Sequence, residues 1–448
     1  MVRQLCIIGF GVSGMSCLSW AKKLNIDAIV FESNSTFGGC WHSASYDSAK
    51  LQTPKESYSF SDFKMPETYS KYPNRDEVLE YFKNYIEFHN LNKWVYYNHK
   101  IIKAFFNKTI ELWEIEVQNT KTLKNISIKS KYLAICSGFY NKPNIINLPN
   151  SDNFNGTIIH SKEFSKTGKY DYSLFKNKKV VLVGNGPSGC DLSCDAVENQ
   201  AQQVTLLYKS NRWILVRKRG IFKFRILLNR FFLKLGINIP KSLYLVFFFI
   251  VCYIPLRYYY KIPISLPNKK LNRRNTALNI NFLRLVSKQK ITYKKALIKH
   301  LNNTSITLQD DSIIDADVIV LCTGYKQSTC FIDDCDLNLL YKRILPLNTP
   351  NCGFIGFSPS FNWVQISEQQ SRWYLNWILN KIKVPRKLMI RNILETHKKQ
   401  QQHELEYFDL SYEPFSYLDD LYKDIKKTKI NNFNLKNWFT TLESDHWN

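Results

Sequence analysis

Acidic side chains are the scarce class in this sequence: 37 Asp and Glu stand against 62 Lys and Arg, a formal charge of +25 over 448 residues. A charge of that size suits an anionic partner, whether a phosphate-rich cofactor, a membrane surface or nucleic acid. The lysines are scattered, however, and no aromatic–basic RNA signature or DNA-binding motif accompanies them, so no nucleic-acid partner is expected. Regular cysteine spacing is missing too. The 11 cysteines form no disulfide framework, and a reducing, intracellular compartment fits better. No H-E-x-x-H run, paired-cysteine ligand spacing or Ser–His–Asp set stands out, so no metal site is expected. Long apolar runs are also absent. The most apolar stretch, SLYLVFFFIVCYIPL at 242–256, would reach about 22 Å as a helix, short of a roughly 30 Å hydrocarbon layer. It reads as a buried helix or, with aromatics and cations on both flanks, as an element in peripheral contact with an internal membrane. The basic and apolar start, MVRQLCIIGFGVSG, breaks at Gly9 into a glycine pattern and is expected to be mature protein. LESDHWN at the end has no apolar tail, so no C-terminal anchor is expected.

What is present is core material and two glycine turns. Hydrophobic residues make up 44% and aromatics 15% of the chain, enough for large cores, and its length allows two or three domains at about 100–200 residues each. QLCIIGFGVSGMSCLSWAKKL reads as strand, turn and helix, with Gly9, Gly11 and Gly14 filling a G-x-G-x-x-G template. The first glycine allows the tight turn, the second lets a pyrophosphate approach the backbone, and the third lets helix pack on strand. Val12 and Ser13 fall at the helix N-terminus, where free N–H groups face a phosphate. The next strand, DAIVFE, ends in Glu32, whose carboxylate can accept ribose hydroxyls. STFGGCWHSASY follows, and its Gly38, Gly39 and Trp41 suggest backbone held against a ligand.

KKVVLVGNGPSGCDLSCDA repeats the template with Gly184, Gly186 and Gly189. Its second strand, VTLLYK, ends without an acid and runs into Lys209 and Arg212. A carboxylate there would repel a ribose 2′-phosphate, whereas these cations attract one. The pair of turns therefore implies one dinucleotide with a free 2′-OH, FAD, and one with a 2′-phosphate, NADPH. Two apolar strands, YLAICSG and DVIVLCTGYK, each close a glycine-turn domain with a small-residue exit, Cys136–Gly138 and Cys322–Gly324, the latter including Thr323. Asn74 with Glu77 resembles a capping box before a helical stripe, and Ser367 with Gln370 resembles a helix start. The fold class expected is α/β, with two Rossmann-like dinucleotide-binding domains, the NADPH domain inserted into the FAD domain. Residues 1–150 and 326–448 would form the FAD domain, and 151–325 the NADPH domain with a hydrophobic, basic insertion at about 215–290.

Between the two turns lies FNGTIIHSKEF, in which Phe154, Gly156, His160 and Phe164 give F-x-G-x-x-x-H-x-x-x-F. This resembles the signature of the flavin-containing monooxygenases, the class B flavoprotein oxygenases. GGCW resembles that family's GG-x-W, SYSFSDFKMPE its F-S-D-F-P-x-P, LCTGY its A-T-G-Y, SEQQSRW its E-x-Q-A-R-W and YLDDL its Y-x-D-E-L. The resemblance implies that NADPH reduces FAD and that the reduced flavin captures O2 as a 4a-hydroperoxide. An oxygen atom then passes to a small N- or S-containing nucleophile while NADP shields the intermediate. It implies FAD contacts from Gly9 to Gly14, Glu32, Cys40 and Trp41, and NADP contacts at Ser188, Gly189, Cys190 and Asp191, with Lys209 and Arg212 near the 2′-phosphate. The signature histidine would support cofactor geometry rather than make bonds. Many members carry an asparagine beside the flavin where this chain has Gln52, so stabilisation of the hydroperoxide would be altered or passed to Thr53.

Three alternatives remain at this point. A Baeyer–Villiger ketone oxygenase shares both turns, although its linker ends in Trp followed by Pro or Asp, where Phe164 and Ser165 stand here. A disulfide reductase needs a C-x-x-x-x-C pair soon after the first domain's second strand, where only Cys40 occurs. The third is a protein without this chemistry, or an uncoupled NADPH oxidase releasing hydrogen peroxide.

Overall fold

The computed structural model describes residues 2–215, 276–332, 335–360, 362–402 and 414–426, with short pieces at 218–219, 222–223 and 243. The membrane-contact reading of 242–256 and most of the 215–290 insertion lie outside the described residues. Among the described residues no helix is long and apolar enough to cross a membrane. The chain divides into two compact units.

The first unit comprises the described residues of Met1–His42, Thr53–Asn141 and Gln327–Asn448. Its sheet runs in the order β3 (Val95–Tyr96), β2 (Ala28–Phe31), β1 (Val2–Ile8), β6 (Asn125–Ile135), β5 (Leu112–Asn119), β4 (His99–Asn107). Leu5 to Ile8 and Ala28 to Phe31 are buried as continuous runs. That is the pattern of parallel strands covered on both faces, and β1 pairs parallel with both β2 and β6. β6 serves two sheets' worth of partners. Its first half lies antiparallel to β5, while its end lies parallel to β1 and to Cys352–Phe354. β1 feeds helix α1 (Val12–Lys23), which packs on the long helix Trp363–Ile378. That long helix begins four residues before Ser367, not at it: Asn362 is its N-cap, and the apolar WVQI run already forms its first turn. Asn74 and Glu77 do form a reciprocal capping box at the head of Arg75–Phe88.

The second unit comprises the described residues of Ser43–Gln52 and Lys142–Lys326. Its five-stranded sheet is parallel throughout, in the order Thr292–Lys295, Gln203–Tyr208, Lys179–Val183, Val318–Leu321, Thr157–His160. A three-stranded antiparallel meander (Ile298–Leu301, Ser305–Leu308, Ile313–Asp315) accompanies it. The central strand Lys179–Val183 leads through a glycine turn into helix Pro187–Glu198, with Pro187 at the first helical position, where its missing N–H is no loss. Both units are thus mixed α/β with a Rossmann-like parallel core.

Candidate functional site

In the first unit the turn after β1 is built by backbone contact. Gly9 takes φ +94°, and a Cβ there would meet the Cys136 carbonyl oxygen at 2.8 Å. A Cβ on Gly14 would stand 1.9 Å from the Gly9 carbonyl oxygen, so helix and strand meet without room for a methyl. Gly11 is crowded from another side: its Cβ would lie 3.3 Å from Cα of Gly39, itself at φ +55°. The Gly38–Gly39 loop therefore crosses the turn, leading into exposed Cys40 and into Trp41, whose Nε1 donates to Tyr58 Oη at 2.8 Å. Gly11 caps α1 without any side-chain bond, and no acid occupies the first turn. Val12, Ser13 and Gly14 consequently present N–H groups and the positive dipole end to an anion. Ser13 Oγ also meets Ser367 Oγ at 3.0 Å.

Glu32 is 4% exposed. Its Oε2 accepts from the Phe10 amide at 2.7 Å, and its Oε1 from the Asn34 amide and side chain at 2.8 and 2.7 Å. With one donor on Oε2, that oxygen retains capacity for a ribose hydroxyl. Free first-turn amides, a glycine cradle and a fixed carboxylate fit an adenine dinucleotide in this unit.

One set of polar groups escaped the sequence reading. Helix Trp363–Ile378 starts at Asn362 with no side-chain cap and no acid in its first turn. Gln365 on that turn is 3% exposed, yet neither its amide oxygen nor its nitrogen has a partner among the described residues. Ser137 Oγ, at the exit after β6, is similarly orphaned. Each unmade buried bond costs about 1–3 kcal/mol, which a polar ligand in this unit would offset. Reading the helix as beginning at Ser367 concealed this signal.

In the second unit Gly184 takes φ +111° with a would-be Cβ 2.5 Å from the Cys322 carbonyl oxygen, and a Cβ on Gly189 would meet the Gly184 carbonyl oxygen at 1.8 Å. Gly186 differs. Nothing lies within 4 Å of its would-be Cβ, so the backbone there faces open space, and it caps the helix without a side-chain bond. Ser188 and Gly189 supply first-turn amides. Cys190 and Asp191, expected as ligand contacts, face elsewhere. The Cys190 amide donates to the Gly186 carbonyl at 3.1 Å and its side chain lies in the core. The Asp191 carboxylate accepts from Tyr46 Oη and Asn279 Nδ2, both at 2.6 Å. Arg212 is drawn to the turn: its Nε donates to Asn185 Oδ1 at 3.1 Å, and Asn185 Nδ2 holds the Ser210 carbonyl at 3.0 Å. Lys209 is exposed just past the strand Gln203–Tyr208.

The Phe154–Phe164 signature packs this same unit. Phe154 and Phe164 are core residues, and a Cβ on Gly156 would meet the Asp317 carbonyl oxygen at 2.3 Å. The Lys162 amide donates to His160 Nδ1 at 3.1 Å, which leaves the proton on Nε2 to donate to the Gly324 carbonyl at 3.0 Å. Burial lowers the His160 pKa, favouring the neutral ring. Its edge meets Tyr325 with ring centres 5.3 Å apart. The histidine thus pins the Thr323–Gly324 exit, where Thr323 Oγ1 also donates to the Asn144 carbonyl and Gly324 takes φ +79°. Of the two candidate catalytic residues, half-buried Gln52 ends the Ser43–Gln52 piece of the second unit, and buried Thr53 begins the next piece of the first.

A buried carboxyl elsewhere in the first unit has a testable pH signature. Glu368 accepts from the Ser61 amide at 3.0 Å and from Ser61 Oγ at 2.9 Å, and burial pushes its carboxyl up to about 7. A folded-state pKa above the unfolded value means the native state holds the extra proton, so stability falls as pH rises from about 4.5 through 7. Glu368→Gln keeps the shape and removes the titration. Its melting temperature should flatten across that window relative to wild type, where one proton contributes a slope of at most about 1.4 kcal/mol per pH unit; parallel profiles for the two proteins would refute this.

The family profile described as Flavin-binding monooxygenase-like matches residues 2–440. Flavin-containing monooxygenase 5 of Rattus norvegicus is 25% identical over 401 residues, covering 83% of this chain and 72% of the rat protein. The S-allyl-L-cysteine S-oxygenase of Allium sativum has a similar fold, with TM-score 0.67 at 19% identity over 96% of this chain and 90% of that one. Oxidized steroid monooxygenase bound to NADP superposes with TM-score 0.75 at 16% identity, covering 95% and 98% of the two chains. At such identities the structural likeness speaks for the fold alone, while the profile spans nearly the whole sequence. The chain therefore belongs to the flavin-binding monooxygenase-like family and is an FAD-containing, NADPH-dependent monooxygenase.

Proposed function

We propose that this enzyme oxygenates a small N- or S-containing nucleophile, with FAD held by the first unit and NADPH by the second. The observation that carries the cofactor assignment is the contrast between two otherwise equivalent turns: one is followed by the buried carboxylate Glu32, the other is tied through Asn185 to Arg212. FAD, once bound and reduced, would supply the oxygen-transfer chemistry. The protein's part is to bind, orient and exclude water.

In the first unit, the amides of Val12, Ser13 and Gly14 take the pyrophosphate, Glu32 takes the ribose, and Gly39, Cys40 and Trp41 close over the turn. Gln365 and the uncapped head of its helix supply further donors. In the second unit, Gly186, Ser188 and Gly189 take the NADP pyrophosphate, Lys209 and Arg212 take the 2′-phosphate, and Thr323 and Gly324 line the strand exit under His160. Gln52 and Thr53 are the residues assigned to protecting the oxygenating species. Gln52 stands where the family pattern it resembles has an asparagine, and this departure makes an uncoupled NADPH oxidase the second reading. A thioether, a tertiary amine and a cyclic ketone, offered in turn with NADPH and O2, separate the possibilities. Sulfoxide or N-oxide is expected. Lactone alone would make the enzyme a ketone oxygenase, and stoichiometric peroxide with every substrate would make it an oxidase.

A further inference from the structure

Ser43–Gln52 is the one short piece of the N-terminal region that belongs to the second unit. It leaves the first unit just after Cys40 and Trp41 and returns at Thr53, so both of its ends continue into residues assigned to the flavin side. Its middle is fastened to helix Pro187–Glu198. Tyr46 Oη donates to Asp191 Oδ2 at 2.6 Å and Ser48 Oγ to Asp195 Oδ2 at 2.6 Å. Asp191 and Asp195 stand four apart and so share one helix face. The Ser48 amide also donates to Tyr172 Oη at 3.4 Å, and the Ala49 amide to the Tyr46 carbonyl at 3.1 Å. Tyr46 and Ala49 are buried in the core cluster of this unit, beside Cys190, Cys194 and Phe164. Both carboxylates are themselves buried or held: Asp195 is 5% exposed, and Asp191 is also gripped by Asn279.

The helix that receives these hydroxyls is the one whose uncapped head offers Ser188 and Gly189 to a phosphate. We propose that Tyr46 and Ser48 are positioning residues: seated on Asp191 and Asp195, they make the placement of Gln52 depend on the helix that holds the NADP phosphates. The proposal rests on the assignment of Gln52 and of the NADP turn made above. Retention of NADP steadies the helix, the helix steadies the strap, and the strap fixes the residue assigned to protecting the oxygenating species. NADP occupancy is thereby linked to coupling through bonds made within the second unit, where Tyr46 also meets Ser188 of the same turn. Short hydroxyl–carboxyl hydrogen bonds inside the unit are costly to leave unmade, which suits them to such a linkage.

The test is the double variant Tyr46→Phe/Ser48→Ala in the FAD-loaded full chain, read by hydrogen exchange and by coupling. Amides within 43–52 should exchange about tenfold faster, as expected when hydrogen bonds to charged groups are lost from a local opening unit, while those of 187–198 keep their rates. FAD content and the KM for NADPH should stay near wild type, the melting temperature should fall by a few degrees for the buried bonds lost, and the fraction of NADPH released as peroxide should rise severalfold. Ser48→Thr, which keeps the hydroxyl, should restore half of that change or more. Unchanged exchange and coupling would overturn the proposal. A KM for NADPH that rises in step with peroxide would also overturn it, because the residues would then belong to the binding site. If the double variant does not purify, Tyr46→Phe alone carries the same readouts. Wild type separates the two levels of inference: if it is not reduced by NADPH, the cofactor assignment falls. If it is reduced normally and the variant matches it throughout, only the strap falls.

Discussion

Gly14→Ala should purify colourless. The added Cβ would stand 1.9 Å from the carbonyl oxygen of Gly9, and that atom is backbone held by the turn itself, not the end of a flexible side chain. To admit the methyl, the turn must open. The Gly9 carbonyl moves, the contact of Gly9 with Cys136 is lost, and the first-turn amides of α1 no longer converge on one point. Overpacking of this kind costs about 1–3 kcal/mol where the surroundings can shift, and more where they cannot. A loss at the upper end of that range corresponds to roughly a hundredfold weaker FAD retention. Visible absorbance of the purified protein and its denaturation midpoint check this together, and a yellow, wild-type-like variant would contradict the turn's role. Gly11→Ala is the milder companion for the fold, because its Cβ would meet Cα and N of Gly39 at 3.3 and 3.7 Å, a crowding that a few tenths of an ångström of loop movement relieves, while the methyl still stands where the pyrophosphate is assigned. It should keep the fold and bind FAD less tightly.

Lys209→Ala together with Arg212→Ala should change which nicotinamide dinucleotide the enzyme uses. Arg212 reaches the glycine turn through Asn185, and Lys209 stands exposed three residues before it, so the pair frames the end of the strand that follows the turn. A 2′-phosphate held there gains charge-assisted hydrogen bonds worth about 1.5–3 kcal/mol each. NADH has no such phosphate. Removing both cations should therefore lower kcat/KM for NADPH by roughly a hundredfold, from two contacts at the low end of that range, with a small effect on NADH. Equal losses with the two nucleotides would remove the 2′-phosphate from this place. Arg212 meets the turn through Asn185, so the loss should appear chiefly in KM for NADPH.

Much of each turn was legible in the sequence because its constraints are local. Gly9 and Gly14, or Gly184 and Gly189, are so near in the chain that the turn's geometry is fixed by which positions lack a Cβ. The position of Glu32 at the end of the second strand was equally legible, and its bond from the Phe10 amide ties it to the turn. A second constraint on Gly11 was not legible: the protein neighbour that crowds it is Gly39, brought there by a loop that no short pattern encodes. Asp191 misled for the same cause. Its place in the first turns of a helix suggests a ligand contact, whereas its partners Tyr46 and Asn279 lie 145 and 88 residues away. The orphaned amide of Gln365 could not be seen while the helix was expected to begin at Ser367. Histidine in the Phe154–Phe164 signature was expected to support cofactor geometry; its two bonds, to the Lys162 N–H and the Gly324 carbonyl, fix its tautomer and hold the strand exit, and neither partner could be read from the pattern.

The central claim is that NADPH-reduced enzyme captures O2 in a protected form and does not discharge it as peroxide. Stopped-flow absorbance of protein reduced with NADPH and mixed with oxygenated buffer tests this most directly. The account predicts a near-ultraviolet transient that outlasts mixing, persists while NADP is bound, and decays faster when a thioether or amine is added. Prompt return of the oxidised flavin spectrum, with one peroxide released per flavin and no response to any nucleophile, would contradict it.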